Sequence, residues 1–134
     1  MNRLLLFASD CGKVECLLSS FEKYFNVQVI EANYKQIVNE VLSKDTQCVF
    51  VTENSLKSQI IFNKFDKIRA AICYNQYFVQ MCREHNDANV IIIPLDNIAQ
   101  NVAVHFAQGL SQVEFDTKTT PNHQRRVNKL NLIQ

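Results

Sequence analysis

Five short apolar runs recur along the chain, Leu4–Ala8, Val27–Ile30, Cys48–Val51, Ala70–Cys73 and Val90–Ile93, and none alternates with polar residues. A half-exposed strand alternates with period two, so uninterrupted runs of this length indicate strands covered on both faces, as in a parallel sheet. The intervening stretches carry helical spacing. Val14, Leu17, Leu18, Phe21 and Phe25 fall on one helix face. Ile37, Val38, Val41 and Leu42 repeat the pattern, followed by Leu56, Ile60 and Ile61, then Tyr77, Phe78, Met81 and Cys82, then Ile98, Val102 and Phe106. Strand and helix alternate five times. Right-handed crossovers then predict a three-layer α/β/α Rossmann-like sandwich with a five-stranded parallel sheet and a C-terminal helical tail. Ligands in such sheets sit outside the carboxyl ends of the strands, here near Ser9–Gly12, Glu31–Tyr34, Thr52–Ser55, Tyr74–Asn75 and Pro94–Asn97.

The 134 residues fit one domain, and no internal repeat divides them. After Gly109 the chain becomes polar and turn-forming through Asp116–Asn122, before a short helical pattern carrying Val127 and Leu130. Fourteen Lys and Arg against thirteen Asp and Glu give a net charge of +1. That balance lacks the basic excess by which proteins coat nucleic acid or anionic membrane, so neither partner is expected. Five cysteines, Cys11, Cys16, Cys48, Cys73 and Cys82, form no CxxC pair. Reduced thiols in a cytoplasmic protein are the expectation, with no metal site. The apolar run after Arg3 is five residues, too short for a secretory segment, and no stretch is long enough to span a membrane.

Asn63-Lys64-Phe65-Asp66-Lys67-Ile68-Arg69-Ala70-Ala71 and Arg83-Glu84-His85-Asn86-Asp87-Ala88-Asn89-Val90 carry a family pattern, as does Asn122-His123-Gln124-Arg125-Arg126-Val127. With Ser9-Asp10-Cys11-Gly12 at the start, the chain resembles the type B ribose-5-phosphate isomerases, among which are the galactose-6-phosphate isomerase subunits. Members read N-K-x-x-G-I-R-A, R-x-H-N-D-x-N-V, G-R-H-x-x-R-V and C-D-H-x-G at these places. The His-Asn-Asp-x-Asn run is the most specific match.

The resemblance implies aldose–ketose interconversion of a phosphorylated sugar such as ribose 5-phosphate through an enediolate. That chemistry needs a base for the carbon-bound proton, donors for the developing oxyanion and cations for the phosphate. It implies neither organic cofactor nor metal. In the family a Cys after the third strand is the base, a G-T-G-x-G loop follows it, and His and Asn of the H-N-D run come from the partner subunit. Carried over, the catalytic positions are Thr52, His85 and Asn86, and the substrate-binding positions are Asp10, Cys11, Tyr34, Asn54 and Arg126.

Several of these depart from the pattern. Thr52 replaces the Cys, and a hydroxyl is a far weaker acid than a thiol. Glu53, Ser55 and Lys57 replace the three glycines, and Ser58 stands where one family branch has Glu. Cys11 replaces a His and Asn122 an Arg. Stand-alone catalysis is therefore expected to be impaired or lost, unless Glu53 or Cys11 substitutes for the base. Two further readings stay open: a phosphosugar-binding module or subunit completing a partner's site, and a structural or regulatory interaction protein. His85 and Asn86 read equally as helix-end caps or as an inherited site, and Asp10 and Gly12 as a turn into the first helix. Cys11 reads as a low-pKa thiol near a helix start or as an inert replacement. Lys64, Lys67 and Arg69 read as a solvated edge. A homodimer or a hetero-oligomer with a related subunit is expected, with Gln76–Cys82 and the tail from about residue 110 as candidate interface.

Overall fold

The computed structural model describes residues 3–113 and 127–130. Five strands, β1 (Leu4–Ser9), β2 (Asn26–Val29), β3 (Gln47–Thr52), β4 (Ala70–Ile72) and β5 (Val90–Pro94), form one parallel sheet in the order β2-β1-β3-β5-β4. The helices are α1 (Glu15–Glu22), α2 (Tyr34–Lys44), α3 (Ser55–Asn63), α4 (Gln76–Glu84), α5 (Gln100–Ala103) and α6 (Phe106–Ser111). The predicted three-layer sandwich is present, and residues 127–130 are helical. Among the described residues no helix is long and apolar enough to cross a membrane.

Strand pleating sorts the apolar runs into two cores. Leu5, Phe7, Val49, Val51, Ile91 and Ile93 face the layer of α1, α4, α5 and α6, joined there by Leu17, Phe21 and Phe106. Leu6, Ala8, Cys48, Phe50, Val90 and Ile92 face α2 and α3, packing on Ile37, Val38, Val41 and Phe62. A run without polar gaps is what such two-sided burial requires.

Three expectations are corrected. The Val27–Ile30 run is not covered on both faces, because β2 is an edge strand and Asn26, Gln28 and Val29 are exposed. On α3 the apolar residues Leu56 and Ile60 point outward, 65% and 59% exposed, while Ser55, Ser58 and Phe62 are buried. The serines turn inward because their hydroxyls have polar partners at the ends of β3 and β5. The helix expected through Ile98, Val102 and Phe106 is broken into α5 and α6, leaving Val102 exposed. Gly109 lies within α6. A Cβ there would stand 2.6 Å from Gln76 Cγ, so its lack of a side chain lets α6 approach the start of α4.

The Asn63–Ala70 stretch forms the turn into β4. Asn63 donates from Nδ2 to Ala70 O at 2.9 Å and accepts from Ala70 N at 2.8 Å. Lys67 stands at the glycine of the N-K-x-x-G-I-R-A pattern and keeps a left-handed backbone, φ 66°. A Cβ in that region strains the chain by about 1 kcal/mol. Lys67→Gly is accordingly expected to raise stability by roughly 0.5 kcal/mol, after the extra unfolded-state entropy of glycine is subtracted. Urea unfolding at constant slope checks this, and a loss of 1 kcal/mol or more would refute it.

Candidate functional site

At the carboxyl ends of β1 and β3 a polar cluster closes the sandwich. Thr52, the last residue of β3, is fully buried and donates from Oγ1 to Asp10 Oδ2 at 3.0 Å. The same oxygen accepts from Asn54 N at 2.9 Å and from Ser58 Oγ at 3.4 Å. Ser58 lies 3.0 Å from the Tyr34 hydroxyl. With its single proton directed at Thr52, Ser58 must accept from Tyr34. The chain therefore runs in one direction, Tyr34 to Ser58 to Thr52 to the Asp10 carboxylate. Tyr34 is held at the start of α2 by ring contacts with Phe50 and Phe62, at 5.6 and 4.9 Å. The Asn33–Gln36 capping box fixes that helix start.

Three features govern what this cluster can do. Thr52 Oγ1 has both lone pairs engaged, accepting from Asn54 N and Ser58 Oγ, so it offers none to a carbon-bound proton. The amide of Asn54 points at Thr52, and that of Ser55 donates to Asp96 Oδ2 at 3.2 Å, with Ser55 Oγ adding 3.0 Å. Two of the amides at the start of α3, those of Asn54 and Ser55, thus serve internal acceptors. Third, Asp10, Glu53 and Asp96 bring carboxylates to this end, where an arriving anion needs positive potential. Cys11 is not a low-pKa thiol. Burial raises it, a hydrogen bond from Ser9 partly offsets that, and the Asp10 and Glu53 charges add to the rise. It also precedes α1, which begins at Glu15 behind an uncapped Val14. The cavity beside Asp10, Tyr34 and Phe50 is about 70 Å³, far below the roughly 300 Å³ at which ligand pockets begin.

His85 and Asn86 are not in this cluster. α4 descends from the carboxyl end of β4 to the start of β5, which places them at the opposite end of the sheet. Asp87 and Asn89 there border Asp45–Gln47, which lead into β3, whereas Thr52 ends that strand. The length of β3 puts the two groups roughly 16 Å apart. His85 is the C-cap of α4, its amide donating to Met81 O, and its Nε2 lies 3.7 Å from Glu84 Oε1. Asn86 is exposed. Arg126 and Asn122 lie outside the described residues.

The rest of the His-Asn-Asp-x-Asn run is a clasp. Asp87 accepts from Arg83 Nη1 at 2.8 Å and Arg69 Nη2 at 3.2 Å. Arg69 Nε donates to Asp87 O, and Arg69 N to Asn89 Oδ1. Asn89 Nδ2 donates to Lys67 O. Arg69 is therefore not a solvated edge residue; it ties the starts of β4 and β5 together. Sequence reasoning also missed Asp96, which anchors α3, and gave Ser58 no role. Short polar residues at helical positions facing a strand end are the signal that could have found them.

The fold is an open parallel α/β sandwich built like the solved type B ribose 5-phosphate isomerases. The Trypanosoma brucei structure superposes with a TM-score of 0.86 over 100% of both chains at 20% identity. That of Clostridium thermocellum does so at 0.80, over 97% of this chain and 96% of the other, at 25% identity. The family model described as Ribose/Galactose Isomerase matches residues 24–130, and the chain belongs to that family. A protein of Rickettsia conorii named "Putative sugar phosphate isomerase" is 24% identical over 97 residues. The match covers 72% of this chain and 65% of that relative. A Rickettsia bellii protein of the same name is 28% identical over 60 residues, 44% of this chain and 42% of its own.

Proposed function

We propose that this chain binds a phosphorylated sugar at the carboxyl ends of β1 and β3 only as part of a two-subunit assembly, with little aldose–ketose isomerase turnover of its own. One observation carries the reading: a buried, fully hydrogen-bonded Thr52 stands where the reaction needs a base. The polar residues split between two ends of one sheet support the assembly. His85 and Asn86 reach a strand-end cluster only if another subunit brings them there. Leu56 and Ile60 on α3 and Tyr74 and Tyr77 near α4 are exposed and apolar, the composition of a covered face. Asp10 and Tyr34 act in this reading as sugar-hydroxyl partners, and Arg126 as the phosphate cation. The partner is a second copy or a related subunit that retains a Cys and a glycine loop, and the setting is the cytoplasm.

Light scattering on the purified chain, combined with thermal melting and an isomerase assay on ribose 5-phosphate and galactose 6-phosphate, tests the reading. A dimer whose melting temperature rises with sugar phosphate but which turns over slowly is the expected result. A monomer with no melting shift would rule out a second copy as the partner, and turnover near that of ordinary enzymes would refute the impaired chemistry.

A further inference from the structure

A cavity of about 580 Å³ lies along edge strand β4, beneath α4 and Leu130, away from the strand-end cluster. Ile72, Phe78, Met81 and Leu130 make its wall apolar, and two cysteines share it. Cys73 directly follows β4 and is fully buried, and Cys82 sits on the second turn of α4, half-buried. Their sulfurs are 3.7 Å apart. Nothing in the proposed sugar chemistry uses either.

We propose that Cys73 and Cys82 form a redox dithiol that a hydroperoxide entering this cavity converts to a disulfide, with Cys82 as the attacking sulfur. The sulfurs already touch, and a contraction to about 2.05 Å completes the bond. Exposure assigns the roles, since Cys82 is half-buried and Cys73 fully buried, so a peroxide in the cavity meets Cys82 first. The hydrogen bond from Cys73 holds Cys82 below the usual thiol range against the opposing effect of burial, helped by the Arg83 charge. The same bond, together with burial, pushes Cys73 up. Cys48, buried with its pKa pushed up to about 12, is a bystander.

In the first step the Cys82 sulfur attacks the terminal peroxide oxygen. An S–O bond forms, the O–O bond breaks, and the departing oxygen takes the thiol proton and leaves as an alcohol or water. Cys82 is then a sulfenic acid. The Cys73 sulfur attacks Cys82, the S–S bond forms, and the S–O bond breaks with loss of water carrying the Cys73 proton. Two electrons pass from the dithiol to the peroxide. The product ties the end of β4 to α4 three residues before His85.

Tryptic peptide Ala70–Arg83 contains both cysteines and no internal Lys or Arg. Native protein treated with hydrogen peroxide, then alkylated with iodoacetamide and digested, should yield this peptide two hydrogens lighter and unlabelled. Dithiothreitol before alkylation should restore two labels. Recovery of both cysteines alkylated, at a peroxide dose that oxidises the exposed Cys16, would overturn the proposal, as would sulfinic acid on Cys82 beside an alkylated Cys73. Cys73→Ala should slow Cys82 alkylation at neutral pH, because the hydrogen bond that lowers its thiol is lost. An unchanged rate would overturn the assignment of Cys82 as the attacking sulfur.

Discussion

Replacing Asp87 by Asn is expected to destabilise the protein by about 2–3 kcal/mol and lower its melting temperature by roughly 10 °C. Asp87 is the anion of the clasp between β4 and β5, and Arg83, 5% exposed, depends on it. The variant keeps an amide oxygen in place but leaves a buried guanidinium without its counter-charge. A fully buried pair broken in this way costs about 3–5 kcal/mol, and the 31% exposure of the Asp87 side chain lowers the figure. Asn is chosen because residue 87 has φ 50°, a conformation Asn accepts and Ala resists. Asp87→Ala should therefore cost about 1 kcal/mol more. Adding Arg83→Met to Asp87→Asn should recover at least half the loss, since the cost lies in the orphaned charge. Urea melts decide the matter. A change below 1 kcal/mol in Asp87→Asn would mean that water already solvates Arg83.

Turnover of ribose 5-phosphate by the homomeric protein is expected to be about 10⁴-fold below that of an ordinary enzyme, or roughly 10⁻³ s⁻¹ against a typical 10 s⁻¹. A positioned base contributes about 10²–10⁴ and one oxyanion donor about 10²–10³. Here Thr52 has no free basic site, and the amides of Asn54 and Ser55 are committed to Thr52 and Asp96. Thr52→Cys alone should recover no more than about tenfold, because the Ser55 amide stays committed to Asp96 and Glu53 stays charged. Replacing residues 52–57 together by the C-G-T-G-x-G pattern should recover about 10² or more, as base and amide cradle return at once. Coupled spectrophotometric assays separate these cases. Equal recovery by the single and the multiple replacement would show that the loop backbone does not limit the reaction.

The membership of the chain in an isomerase family and the loss of that family's chemical groups meet at a few residues. Asn63, Arg69, Asp87 and Asn89 match the pattern because they close the turn into β4 and join β4 to β5. Their match reports a preserved scaffold. Thr52, Ser55 and Ser58 depart from it and form an internally hydrogen-bonded cluster with Asp10, Tyr34 and Asp96. The most specific motif in the sequence is thus mainly architecture, with His85 and Asn86 its two members outside the clasp.

Apolar runs and helical spacing determined the sheet, its five strands and the order of elements along the chain, since burying one face of each element is a requirement every residue in it shares. The absence of a thiol and of glycines at 52–57 was equally visible in one dimension. What only the tertiary structure decided depends on which face an element turns to its neighbours. α3 buries its serines and exposes Leu56 and Ile60, because polar partners wait at the strand ends. The 3.7 Å approach of Cys73 to Cys82 arises from how α4 is set against β4. The separation of His85 from Thr52 arises from the direction in which α4 runs. Periodicity names the residues on a face; packing alone chooses what that face meets.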